Sequence, residues 1–555
     1  MFLRLWIACA AAAFAASLAL AQPAPADGDP LARAVAAELD AWTTAAEPTI
    51  HGERIAFSER VQEFYTRREF RAAWDNAHNA EQLRRALAES YAEGLDPKDY
   101  HHPVISELAT QIAGGAASDS LRAQYDILLT EALLRLAYHL SFGKVDPQTF
   151  DAQWNYGRTL ESTDVSRKVE EALAAEDIYK RVGALGPTHS LYTGLKRELA
   201  RYRAAAEAPN PAIVATPKLQ PGANDVRVPL VRARLIASGD LDQSAASESL
   251  DYDAQLEAAV RSFQERMGLA SDGVIGAGTI AELNVPIADR ITQLRVNLDR
   301  GRVLLQDLPD EFVIVNIAGF TVYYVRGQQV VWQSRAQVGK PYRRTPIFRS
   351  EISYLVLNPT WTVPPGIIEK DILPAAKGDP ASITRKGLRV LDAQGREHDP
   401  ASIDWSRYRS GHIPYTLRQD PGPSNALGRV KLMFPNPYQV YLHDTPSQGL
   451  FDRNDRAFSS GCVRIERALE LAELVLDDPD RWNTASIANA IGQGTLRNIT
   501  LKKRVPVLLA YWTAWVDPKG RLNFRRDLYG QDAQWAHALE ERFTVRARPL
   551  FRPAP

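Results

Sequence analysis

The stretch Tyr441-Leu442-His443-Asp444-Thr445-Pro446, followed after a short polar loop by Ala457-Phe458-Ser459-Ser460-Gly461-Cys462-Val463-Arg464-Ile465, decides how this chain is read. His443 closes a run that alternates like a β-strand. Behind Cys462, the residues Ile465, Leu469, Ala472 and Val475 recur at helical spacing, so the pattern predicts a helix starting at the cysteine. A helix N-terminus offers unpaired N–H groups and partial positive charge, and both favour thiolate over thiol. Gly461 permits a tight turn there. The N–H groups of Gly461 and Cys462 are then candidates to hold an oxyanion. His443 would accept the thiol proton and return it to a leaving amine. The expectation is a thiolate–histidine pair, with Cys462 as nucleophile and His443 as proton donor and acceptor. A zinc site needs three or four ligands at recognisable spacing, and none stands here, so no metal and no cofactor is expected.

The start of the chain sharpens this reading. Arg4, an Ala-rich apolar run from Leu5 to Leu20, and Ala19-Leu20-Ala21 before Gln22 form the pattern of a cleaved secretory signal over residues 1–21. Cleavage would remove Cys9, one of the two cysteines, and leave Cys462 alone. Exported proteins ordinarily use cysteine in pairs. A lone one in a Ser-Gly-Cys turn is a reactive thiol, and the expected location is the periplasm.

At 555 residues the chain is long enough for several domains, and its formal net charge of -1, without a Lys/Arg run, excludes a polyanion-binding role such as nucleic-acid binding. No segment beyond the leader is apolar and long enough to span a bilayer, which suggests a soluble or peripherally associated protein. Residues 22–203 read as a helical domain, with Phe64, Tyr65, Phe70 and Trp74 as core and breaks at Asp96-Pro97 and Asp146-Pro147. The pair His101 and His102, lacking a further spaced ligand, reads as a turn or surface feature. Residues 204–225 read as an Ala/Pro/Asn linker. Residues 226–290 form a small helical module, with Leu256, Val260 and Phe263 on one helix face and an Asp272-Gly273 turn before Thr279. Residues 311–515 read as a β-rich domain interrupted by a polar insert, 366–424, of the sort that covers substrates. Residues 516–555 read as a C-terminal tail. The fold class expected is multidomain α+β.

The string from His443 through Ser459, Ser460, Gly461, Cys462, Val463 and Arg464 resembles the signature of the L,D-transpeptidases with a YkuD-type catalytic domain. Together with Asn358-Pro359-Thr360-Trp361-Thr362-Val363-Pro364 it is similar to the large periplasmic subgroup, which carries an N-terminal scaffold and a peptidoglycan-binding domain. The 226–290 module resembles the three-helix peptidoglycan-binding domain. Asp444 and Ser460 replace the residues of smaller members. The resemblance implies acyl transfer. Cys462 would attack the bond before the terminal D-alanine of a tetrapeptide stem, D-alanine would leave, and a diaminopimelate amine would resolve the thioester into a 3→3 cross-link. Water as acceptor would give L,D-carboxypeptidase activity, and a lipoprotein lysine would give tethering. The resemblance further implies a backbone carbonyl at Asp444 orienting His443, and Arg464, Ser459, Ser460, Asp444, Asn358 and Trp361 as substrate-binding candidates. Carbapenems should acylate Cys462. Peptidoglycan stems and glycan are the expected partners, with cell-wall synthases beside them. Sortases and papain-like proteases fit less well, the latter because they place cysteine before histidine. A wall-binding scaffold without activity is the non-enzymatic alternative.

Overall fold

The computed structural model describes residues 28–544 except 116, 151–154, 156–161, 208–210, 307 and 409–412. The expected signal segment, 1–21, lies outside the described residues. The chain divides into two compact units, one built from residues up to Leu140 with Arg158–Leu185 and the segment from Arg542, the other from Ser141–Gly157 and Gly186–Glu541. Among the described residues no helix is long and apolar enough to cross a membrane.

The first unit is helical: α1 (Pro30–Ala41), α2 (Ser58–Arg67), α3 (Ala77–Glu89), α4 (His102–Ala113), α5 (Asp119–Phe142), α6 (Ser162–Leu173) and α7 (Ile178–Gly183), with one hairpin of β1 (Thr49–Ile50) and β2 (Glu53–Arg54). Helix α5 is apolar nearly all round from Ile127 to Leu136 and is buried on most sides, as such a helix must be. The aromatics Phe64, Tyr65, Phe70 and Trp74 are core, as expected. Asp96 and Asp146 each cap a short turn that begins with the following proline. His101 departs from expectation. It occupies a turn with φ +57, yet it is fully buried, with Nδ1 2.9 Å from Glu53 Oε2 and Nε2 2.8 Å from Glu131 Oε2. Glu131 also accepts from Arg135 and from the Ala56 N–H. The surface reading failed because the partners come from elements far away in sequence.

The second unit opens with α8 (Ser190–Ala205), so the helical segment anticipated as 22–203 is shared between the two units. Next comes the small module, α9 (Val228–Ala237), α10 (Ala254–Met267) and α11 (Ala277–Leu283), and then the long helix α12 (Ile287–Leu304). The Asp-Gly turn of the module is held from inside. Gln264 donates to Asp272 Oδ1, to the Val274 carbonyl and to Thr279 Oγ1, and accepts from the Gly273 N–H. The anticipated linker is not slack, since Leu219 is buried and pairs with Ile275.

The strands that follow are β3 (Glu311–Asn316), β4 (Thr321–Arg326), β5 (Gln329–Gly339), β6 (Phe348–Leu357), β7 (Trp361–Thr362), β8 (Arg389–Leu391), β9 (Glu397–His398), β10 (Thr416–Gln419), β11 (Val430–Met433), β12 (Leu442–His443), β13 (Ala457–Ser459), β14 (Val463–Ile465), β15 (Arg497–Ala510), β16 (Ala514–Val516) and β17 (Leu522–Phe524). Nine of them order as β13-β5-β14-β12-β11-β6-β15-β3-β4, and β4 pairs back onto β5, so the sheet closes on itself like a barrel. Helices α13 (Ala468–Leu476) and α14 (Thr484–Gly492) cover it. Of the residues anticipated as a tail, those up to Glu541 continue this unit: β16 pairs with β17, and α15 (Gln531–Glu540) buries Trp535 and Leu539. The insert is a folded lobe. A sheet of order β7-β10-β8-β9 and helical turns over 365–378 enclose a core of their own that includes Ile372, Ile383, Val390, Trp405 and Leu417.

Candidate active site

Cys462 does not begin a helix. It precedes β14, which runs parallel to β12 and antiparallel to β5, and α13 starts only at Ala468. The apolar spacing that suggested a helix at Ile465 belongs partly to this strand, whose Val463 and Ile465 point into the barrel core. The helix-dipole argument for a thiolate therefore falls away.

The register supplies what the dipole does not. Leu442 pairs with Val463 and His443 with Arg464, and the Val463 N–H donates to the Tyr441 carbonyl at 3.1 Å. Side chains alternate across a sheet, so Leu442 and Val463 face the core while Tyr441, His443, Cys462 and Arg464 share the opposite face. The next strand adds Lys431, which pairs with His443, and β5 adds Gln337, which pairs with Arg464. Gln337 Oε1 accepts from Arg464 Nη1 at 3.3 Å.

His443 is buried, and its Nδ1 lies 2.5 Å from the Asp444 carbonyl oxygen. A ring N–H donating there selects the tautomer in which Nε2 carries the lone pair, as a general base requires. Burial, and then the charge of Arg464, pull the imidazole down to about 3. Burial also pushes the Cys462 thiol up, against the opposing effects of the Tyr441 backbone and phenol, Arg464 and Lys431. Consistent with a thiol, Sγ points at the Gln439 carbonyl at 3.9 Å. Burial thus favours a thiol at Cys462 and a neutral imidazole at His443, against the thiolate that the helix start suggested. Alkylation of Cys462 by iodoacetamide should accordingly keep rising through pH 9, past the ordinary cysteine value of about 8.5. A rate plateau at neutral pH would contradict this.

The turn before the nucleophile is braced throughout. Gly461 has φ +122, a conformation that favours glycine. Its N–H donates to Ser459 Oγ at 3.1 Å, and Ser459 Oγ donates to the Cys462 carbonyl at 2.5 Å. The Gly461 N–H, anticipated as an oxyanion donor, is thus engaged by Ser459. Among the described residues the Cys462 N–H makes no hydrogen bond and stays available. Thr345 Oγ1 donates to the Gly461 carbonyl at 2.8 Å. Arg343 Nη1 donates to Ser460 Oγ at 2.9 Å and the same guanidinium pairs with Asp371 of the insert, so the lobe is tied to the nucleophile turn.

The other candidates divide. Arg464 is at the site. The Asp444 carboxylate accepts from the Arg429 backbone at 3.0 Å and from Arg429 Nε at 2.8 Å, so it shapes the loop, and only its carbonyl serves His443. Asn358 is turned away from the cysteine: Nδ2 donates to the carbonyls of Ala490, Ile491 and Thr495, capping the end of α14. Trp361 packs on the core of the insert. Tyr441, Lys431 and Gln337 were not anticipated. Tyr441 was legible as the residue two before His443 on one strand face. Lys431 and Gln337 are brought in by strand pairings that no local spacing reveals.

Residues 310–500 match the family described as "L,D-transpeptidase catalytic domain", residues 224–283 that described as "Putative peptidoglycan binding domain", and residues 59–199 that described as "Scaffold domain". A curated protein of Haemophilus influenzae named "Putative L,D-transpeptidase" is 39% identical over 247 residues, which cover 44% of this chain and 49% of that protein. The match thus spans about half the length of that relative. Two solved structures are similar in part. An L,D-transpeptidase from Mycobacterium smegmatis shares 13% identity over 36% of this chain and 58% of its own, with a TM-score of 0.17. An L,D-transpeptidase fragment from Xylanimonas cellulosilytica shares 15% over 54% of this chain and 100% of its own, with a TM-score of 0.18. Scores that low carry no argument about the fold. The family matches, the curated relative and the resemblance of the His443 and Cys462 motifs agree: residues 310–500 form a YkuD-type L,D-transpeptidase catalytic domain, preceded in the chain by segments that match a scaffold domain and a peptidoglycan-binding domain.

Proposed function

We propose that this protein cross-links peptidoglycan. Cys462 attacks the carbonyl preceding the terminal D-alanine of a tetrapeptide stem, and a diaminopimelate amine of a neighbouring stem takes the acyl group to form a 3→3 bond. The observation that carries the reading is the placement of His443 and Cys462 on one face of the parallel β12–β14 pair, with Nδ1 committed to the Asp444 carbonyl. His443 takes the Sγ proton as the S–C bond forms. The tetrahedral oxyanion is met by the Cys462 N–H. Collapse breaks the C–N bond, and the proton passes from His443 to the departing amine, leaving a thioester. The acceptor amine then attacks in a reversal of these steps, so one histidine serves as acid and base in turn.

Burial favours the neutral forms of both groups, so on this reading the proton moves to His443 during the attack. A peptidoglycan-binding module in the same compact unit supports glycan as the polymer to which the catalytic domain is delivered. On this reading the protein works in the periplasm after loss of residues 1–21, beside cell-wall synthases, and carbapenems acylate Cys462.

The test is to incubate the purified mature protein with tetrapeptide muropeptides and follow products by mass spectrometry. Free D-alanine, 3→3 dimers and a Cys462 thioester are expected from the wild type and none of them from Cys462→Ala. D-alanine and tripeptide without dimers would identify a carboxypeptidase. Binding to wall sacculi with no turnover would identify a scaffold.

A further inference from the structure

Two cations face the nucleophile without an anionic partner. Lys431 is the strand neighbour of His443, and its Nζ lies 4.2 Å from the centre of the Tyr441 ring, whose phenol adjoins Cys462. Among the described residues Lys431 makes no ion pair and no hydrogen bond through Nζ. Arg464 is the strand neighbour of His443 on the other side. Its one side-chain partner is the neutral Gln337, and its buried Nε has none. The carboxylate that follows His443, Asp444, is committed to Arg429, and Glu466, two residues beyond Arg464, is committed to Arg335. Burying charged groups without counter-charge is costly, and burial does lower both the lysine and the arginine. A site that retains two such groups beside its nucleophile is built to receive an anion.

We infer that Lys431 and Arg464 form a carboxylate-binding subsite that reads the free C-terminus of the residue to be expelled from the donor stem. The inference rests on the transpeptidase reading and goes beyond it by naming what selects the donor. The chemistry explains the fit. In a tetrapeptide donor the terminal carboxylate lies one residue beyond the attacked carbonyl, within reach of groups that flank Cys462 on the same sheet face. It is also the only charged group on the part that leaves. Held there, the carboxylate fixes the scissile carbonyl over Sγ and compensates the two cations. When the C–N bond breaks it departs with the free amino acid, which restores the cationic site for the next donor. A stem extended by a further residue would carry its carboxylate past these groups.

The experiment compares two donors on the full mature chain: a tetrapeptide stem ending in free D-alanine and the same stem ending in D-alaninamide. Release of the terminal residue is measured as kcat and KM for the wild type, Lys431→Met, Lys431→Gln and Lys431→Arg, with circular dichroism to confirm folding. The wild type should favour the acid by about 10- to 100-fold in kcat/KM, the size of a hydrogen bond to a charged group. Lys431→Met and Lys431→Gln should lose most of that preference through KM for the acid, and Lys431→Arg should keep most of it. Any effect of the lysine on the thiol itself slows both donors alike and cancels in the ratio. A wild type indifferent to the terminal group overturns the proposal. So do neutral variants that slow both donors by one factor. Failure of the wild type to release either terminus, with Cys462 still alkylated by iodoacetamide, would instead mark failure of the transpeptidase reading.

Discussion

His443→Gln is expected to slow release of D-alanine from a tetrapeptide donor by about 10²- to 10⁴-fold, the usual contribution of a positioned general acid–base. That corresponds to roughly 3–5.5 kcal/mol of barrier. Glutamine keeps a donor that can reach the Asp444 carbonyl, so the buried acceptor now served by Nδ1 need not be orphaned. What it lacks is a basic nitrogen toward the thiol. Because burial raises the Cys462 thiol, the attack depends on that base. The measurement is single-turnover acylation at several pH values. The variant should recover part of its rate at alkaline pH, where solvent removes the thiol proton, while the wild type varies less. If His443→Gln stays within about tenfold of wild type at neutral pH, the proton goes elsewhere, and Tyr441 becomes the group to test.

Glu131→Ala should produce the largest loss of stability, about 3–5 kcal/mol, because it leaves Arg135 buried without its carboxylate and a protonated His101 with Glu53 alone. Both nitrogens of His101 face carboxylates, which only the doubly protonated ring can satisfy as donor. Burial opposes the charge on His101, yet Glu131 and Glu53 outweigh it and hold the imidazole above its ordinary 6.5. Burial likewise opposes the charge on Glu131, but Arg135 and His101 bring it down to about 2. The signs then fix the window. The stabilisation from His101 is fully present below pH 6.5 and is lost as pH rises through its elevated value. That from Glu131 is present above pH 4.5 and is lost as pH falls toward 2. Urea unfolding of the full chain across pH 3–9 should show this contribution greatest between those limits in the wild type and missing in Glu131→Ala. A variant as stable as wild type at pH 6 would show that the cluster does not hold the helical unit together.

The sites of misreading have a common cause. The helix expected at Cys462 rested on apolar spacing, and a strand of three residues is too short to announce itself against the helix that follows it. Asn358 was placed near the donor by its neighbours in the motif, but its positive φ of 48 turns the side chain toward the carbonyls at the end of α14. His101 looked like a surface turn because Glu53 and Glu131, which bury it, lie 48 and 30 residues away. In each case local pattern was outvoted by contacts between distant segments.

The sequence alone determined that one cysteine in a Ser-Gly-Cys turn stands a short loop after a strand-terminal histidine, and that helical, small modular and β-rich segments follow in that order. Covalent chemistry and periodicity are local properties, so those conclusions needed no fold. Tertiary structure decided the rest. Pairing β12 with β14 and β11 in one register gathers Lys431, Tyr441 and Arg464 around Cys462 and His443, and a shift of one residue would turn every one of them into the core. The same burial that assembles the site also sets its protonation. Desolvation, a property of the closed barrel and not of the motif, raises the Cys462 thiol and lowers the His443 imidazole.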